Sequence, residues 1–308
     1  MKSAERMSVS RLSGSAKVSA GTVMRLARLL VLGLLVAGCA TTPEKSPKEL
    51  LSYLPGGHSG YISVAPSDEL FLTTTILGSF GFAEDDARRI ADRTERALVG
   101  VGPEGAFSLV AMGRFPDGSI ARNLRRDGWT ETEADDRLIW NHGEAAYRIE
   151  RIERDLYAVR SEGADETASS FELPREEGRR LVNAGLGFYA PQPGRTMLSG
   201  LLGRGELPIE EVYVEFKPAD DDAEREVVSL VTVRNEEDAR TLLVLTRLLV
   251  LGTLNAAGIA FEEIPESLSV EREGSLIVID GLYLREAQIA RLFLDRLPEG
   301  LATGDVAP

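Results

Sequence analysis

The chain of 308 residues has two histidines, His58 and His142, so a Ser-His-Asp arrangement would have to use one of them as its base. His58 stands in Gly57-His58-Ser59-Gly60, which misses the G-x-S-x-G nucleophile elbow by one position. Such an elbow follows a strand, whereas Pro55 and two glycines precede this serine. Gly100-Val101-Gly102-Pro103-Glu104-Gly105 fits G-x-G-x-x-G, but the dinucleotide fingerprint lies between a strand and a helix. Here the pattern predicts a helix before and a strand after, and Pro103 lacks an amide donor, so the glycines read as a helix end and a turn. Asp220-Asp221-Asp222 and Glu224 offer oxygens to calcium without the alternate spacing or glycine of an EF-hand loop, and read as a solvated turn. Asp85-Asp86 and Asp135-Asp136 read the same way. Two histidines and one cysteine argue against zinc. An aromatic content of 6% is low for a sugar cleft, and paired carboxylates cannot be recognised without geometry. The residue types therefore assign no catalytic group, no metal and no cofactor.

One apolar stretch stands apart. Between Thr241 and Ala260 lie Leu242, Leu243, Val244, Leu245, Leu248, Leu249, Val250, Leu251, Leu254 and Ile259, with Arg247 in their midst. A surface helix shows a polar face, and this one shows little beyond Arg240, Arg247 and Asn255. Either it is a central buried helix, or one side lines an apolar groove for a lipid or meets a partner subunit. In the second case Arg247, Leu248 and Leu251 are the ligand-binding candidates. A membrane span is disfavoured, because an arginine at its centre costs about 2.5–3.5 kcal/mol on insertion scales.

Near the start, Arg25 and Arg28 precede the apolar run Leu29 to Ala37, interrupted by Gly33, and then Gly38 and Cys39. A charged region, an apolar region and a small-residue cut site make a secretory signal. The run is shorter than the roughly 20 apolar residues of a spanning helix. Leu35-Val36-Ala37-Gly38-Cys39 resembles the lipobox of bacterial lipoproteins. The resemblance implies cleavage before Cys39, the single cysteine, and its modification with diacylglycerol and an N-acyl group such as palmitate. Each buried methylene adds about 0.8 kcal/mol to such an anchor. Ala40, in place of an aspartate, implies the outer membrane.

Removal of residues 1–38 leaves 270 residues, enough for one large domain or two small ones. The leader carries six basic residues and one acid, so the formal charge of −14 becomes −19 in the remainder. Such a field repels nucleic acid and anionic head groups. With Cys39 given to lipid, no intrachain disulfide remains and stability rests on packing.

The elements expected to carry these groups alternate between strand and helix. Tyr61 to Val64 reads as a strand, Glu69 to Phe82 as a helix broken near Gly78 and Gly81, and Ala83 to Val99 as a clearer helix. Ala106 to Phe115 is a strand and Ser119 to Arg126 a short helix. Strands follow over 137–141, 145–152 and 155–161, then a helix over 174–184. Residues 185–205, rich in glycine and proline, mark a boundary. Beyond it come strands over 211–217 and 226–233, and a helix capped by Asn235 and ended by Gly258. A hairpin around Glu273-Gly274 and a helix over 284–297 complete the chain.

The order repeats. Phe107 to Val110 before one helix matches Val228 to Val231 before another, and each helix leads to a hairpin. This predicts an α+β fold of antiparallel sheets with helices on one face, in two similar units made by internal duplication. The expected divisions are signal peptide 1–38, tether 39–54, first unit 55–190, linker 191–210, second unit 211–298 and a loose tail 299–308. The expected function is that of a lipid-anchored cell-envelope protein of non-enzymatic type that binds a protein partner or an apolar ligand. The competing expectations are an anchored hydrolase with a site between the halves, and an assembly factor that pairs as a homodimer.

Overall fold

The structure, a computed structural model, describes residues 50–54, 58–79, 83–101, 106–143, 145, 147–161, 180–181, 183–191, 193, 207–219, 224–256, 258–260, 262 and 264–294. Cys39, the tether up to residue 49, Asp220 to Asp222, most of the helix expected over 174–184, most of the linker and the tail lie outside them.

The described strands are β1 (Gly60–Val64), β2 (Thr94–Val101), β3 (Phe107–Gly113), β4 (Thr130–Ala134), β5 (Arg137–Asn141), β6 (Tyr147–Glu153), β7 (Leu156–Ser161), β8 (Leu186–Pro191), β9 (Ile209–Pro218), β10 (Glu224–Val233), β11 (Ser269–Glu273) and β12 (Leu276–Arg285). The helices are α1 (Leu70–Ser79), α2 (Glu84–Arg93), α3 (Asp117–Arg126), α4 (Glu236–Ala256) and α5 (Glu286–Leu294). All twelve strands form one antiparallel sheet in the order β11-β12-β10-β9-β8-β1-β2-β3-β7-β6-β5-β4. Where separate sheets were expected, there is a single one. From the β1–β8 pair the strands run β2, β3, β7, β6, β5, β4 in one direction and β9, β10, β12, β11 in the other.

Side chains alternate between the two faces of a strand, and the register separates two cores. On one face Val64, Leu186, Phe216, Val227 and Leu282 form a row across five strands. They pack with Leu72 of α1, Leu254 of α4 and Ile289 of α5. Further along that face Trp140, Ile149 and Tyr157 pack against Ile120 and Leu124 of α3. The opposite face carries Leu98, Val110 and Ala158 in one row. Among the described residues its cover is Leu50, Leu51 and Leu54 with Leu181. An antiparallel sheet with helices, the expected α+β fold, is thus what the described residues form.

Two expectations are corrected. The helix from Ala83 ends at Arg93, and Thr94, Ala97 and Leu98 belong to β2. Thr94 is already extended, at φ −93° and ψ 111°. Both Ala97 and Leu98 are buried although they point to opposite faces, because β2 is central and covered on both sides. That pattern imitates helical spacing. The Gly/Pro-rich boundary likewise contains a central strand, β8, which pairs with both β1 and β9. The long helix behaves as read: the Asp238 amide donates to Asn235 Oδ1 at 2.9 Å, and Gly258 follows the helix at φ +81°.

Candidate functional site

The residues singled out in the apolar stretch sit on α4. Its inward side, Ala239, Leu242 and Leu254, is buried against the sheet. Its outward side is apolar as well: Val244, Leu248 and Leu249 are 61, 63 and 52% exposed. Leu251 is half-buried. Turns three and four residues apart align such side chains into a strip, so the helix presents an apolar surface. Arg247 leaves the strip sideways. Its Nε and Nη2 donate to the Val270 carbonyl at 3.2 and 2.9 Å, on the edge strand β11. A charge in mid-helix therefore closes an acceptor that the sheet edge would otherwise offer to another strand. No described helix is long and apolar enough to cross a membrane.

The two histidines are far apart in the fold. His142 lies in the helix-covered half-core, its ring 5.4 Å from that of Trp129. His58 lies on the opposite face, edge-on to Tyr61 at 5.7 Å. Its imidazole fills the space above Gly100, where a Cβ would fall 2.2 Å from Cδ2. This close approach is the role of that glycine, the first of the G-x-G-x-x-G run. Burial, reinforced by the Arg160 charge, holds the His58 pKa below its ordinary value, so the ring is neutral at pH 7. Ser59 is not its partner, because Ser59 Oγ donates to the Val101 carbonyl at 3.0 Å. A relay needs a base held to a nucleophile and oriented by a carboxylate, and His58 is not held to Ser59 in that way.

Beside His58 the sheet carries buried charge. Glu150 accepts from Arg148 Nε at 2.5 Å, with Arg160 Nε at 3.4 Å and Arg137 Nη1 at 3.8 Å. On the helix face the arrangement is inverted: buried Arg225 donates to Glu69 Oε2 at 3.3 Å and to Glu286. Burial pushes the Glu69 carboxyl up despite Arg225. A cleft of about 370 Å³ opens near the start of α5, with Ile259 and Leu284 in its floor and Tyr283, Arg285, Gln288 and Glu224 at its rim. No group of three or more metal-ligating side chains occurs among the described residues. Sequence reasoning saw His58 and Gly100 as parts of separate motifs, and passed over Ser108, Glu150, Arg160 and Arg225. No local pattern marks those four, since register alone gathers them.

No protein-family model and no curated protein matches the chain. Solved structures do. Crystal form I of TP0453 from Treponema pallidum is similar over 79% of this chain and 96% of its own, at 15% identity and a TM-score of 0.54. Crystal form III gives the same values. Crystal form IV matches over 79% and 94% at 14% identity and a TM-score of 0.51. At this identity the likeness is one of fold.

Proposed function

We propose that the chain is a lipid-anchored cell-envelope protein of non-enzymatic type, which lays the outward strip of α4 on the membrane that holds it. The observation that carries this is the exposure of Val244, Leu248 and Leu249 in consecutive turns of one helix. Surface patches of this kind mark interaction sites. Burying three side chains that are half or more exposed is worth about 3–5 kcal/mol, at about 1.5–3 kcal/mol for each full burial. Cys39, as the lipidated residue, supports the choice of partner. The twelve residues from Cys39 to Leu50 span at most about 40 Å when fully extended, so the bilayer is the apolar phase always within reach. Ala40 favours the outer membrane. The high negative charge makes a neutral lipid surface the suitable one and disfavours nucleic acid.

The test is flotation of the anchor-free chain Ala40–Pro308 with phosphatidylethanolamine/phosphatidylcholine vesicles, with native mass spectrometry of the free chain alongside. The expected result is a monomer that floats, and a Leu248→Glu variant that stays behind. A stable dimer that does not float would replace the membrane by a second copy at the same strip. A monomer that neither floats nor loses anything on Leu248→Glu would remove α4 from the function.

A further inference from the structure

On the face opposite α1 to α5, one row of the sheet runs Tyr61, Gly100, Ser108, Arg160, Arg148 across β1, β2, β3, β7 and β6. The His58 ring occupies the Gly100 position in that row, with Nε2 2.7 Å from where a Cβ would stand. His58 is 6% exposed and Ser108 1% exposed, yet His58 Nε2 and Ser108 Oγ make no hydrogen bond. Buried polar atoms without partners are uncommon in native interiors, and here two stand at neighbouring positions of one row. Directly opposed residues in an antiparallel pair hold their Cβ atoms about 4.5–5.5 Å apart, so one small acceptor can lie between the two groups. The third neighbour is Arg160. Three guanidinium groups, of Arg137, Arg148 and Arg160, lie about the Glu150 carboxylate beside this spot.

Arg160 Nη2 has an acceptor that belongs to none of these strands. It donates at 2.9 Å to the carbonyl oxygen of Tyr53, in the segment that closes the row. That segment is held by the side chains of Leu50, Leu51 and Leu54 and by the Tyr53 hydroxyl, which donates to Glu153 at 3.1 Å.

We infer that residues 50–54 are a strap over a binding site for a small free oxyanion, of phosphate or carboxylate type, formed by Arg160, Ser108 and His58. The Tyr53 carbonyl stands in for one oxygen of that anion. When the strap lifts, Arg160 Nη2 becomes available. The Ser108 hydroxyl and the neutral imidazole, as its Nε2–H tautomer, supply two further donors. The site is independent of α4 and of what Cys39 carries.

The test is calorimetric titration of the full chain with inorganic phosphate, combined with hydrogen exchange at residues 50–54. One phosphate per chain is expected, with faster exchange at the strap as it lifts. Ser108→Ala removes an orphaned hydroxyl, so it should keep or raise Tm while it weakens phosphate at least tenfold. A purely structural serine would move Tm and leave no binding to change. Tyr53→Phe loosens the strap and should tighten phosphate. The absence of binding to both the native chain and Tyr53→Phe would overturn the site, as would phosphate binding that Ser108→Ala leaves unchanged. Phosphatidylglycerol vesicles that loosen the strap where free phosphate does not would overturn the free-anion assignment in favour of a head group.

Discussion

Helices α3 and α4 hold the same place in the two halves of the sheet. Each follows the strand next but one to the central pair, β3 or β10, and leads on to the strands that pair back against it. Helix α3 does this in ten residues: Ile120 and Leu124 are buried, while Arg122, Arg125 and Arg126 face outward. Helix α4 takes twenty-one residues and turns Val244, Leu248 and Leu249 outward. After β3 a helix of ten residues thus suffices. The additional length and the apolar outer strip of α4 are not demanded by the fold, which is why we assign them to function.

The comparison breaks most readily where it claims the most. Leu124→Ala, inside the α3 core, should cost about 2–5 kcal/mol, as large-to-small core changes do. Leu248→Ala should change stability by no more than about 0.5 kcal/mol, the range of free surface positions. Urea unfolding of both variants measures the pair, and a Leu248→Ala loss as large as that of Leu124→Ala would mean that the strip is covered. A smaller effect sharpens the contrast at the sheet edges, since both helices reach an edge strand through an arginine. Arg125 Nη2 meets the Glu131 carboxylate of β4 at 2.8 Å in a mostly exposed pair, worth about 0–1 kcal/mol. Arg247 instead caps a backbone carbonyl of β11. Arg247→Met should therefore cost about 1–2 kcal/mol and add concentration-dependent association through the opened edge. Equal losses for Arg247→Met and Arg125→Met, by the same unfolding assay, would erase the distinction.

Much of this architecture is readable from local pattern. The turns Glu153-Arg154 and Glu273-Gly274 mark the hairpins β6–β7 and β11–β12, and Asn235 and Gly258 bracket α4 plainly. The central strands are not readable in this way. Burial on both faces removes the alternation from β2, whose Thr94, Ala97 and Leu98 pass for a helical stripe. In β8, glycine and proline hide a strand that joins the halves. Arg247 is visible as a charge in an apolar run, but its role depends on the register that brings Val270 beneath it. The site on the face opposite α1 to α5 is the least readable of all. His58, Gly100, Ser108 and Arg160 are contributed by a loop end and three strands, and each is ordinary in its own neighbourhood.

The smallest effect concerns the seam itself. Glu69 precedes α1, in the first half, whereas Arg225 and Glu286 come from the second, so this buried trio ties the halves together. Burial raises the Glu69 pKa, and Arg225 only partly offsets it. Between the ordinary carboxylate pKa and this raised value the folded chain holds more protons than the unfolded one. Stability contributed by Glu69 is then fully present below the ordinary value and is lost as pH rises through the raised one. The slope is bounded by about 1.4 kcal/mol per pH unit for one proton. Unfolding free energies measured across this window should fall with rising pH in the native chain and run flatter in Glu69→Gln, whatever offset the substitution adds. Identical slopes would mean that the seam carboxylate is already ionised throughout, and that Arg225 outweighs burial in joining the two halves.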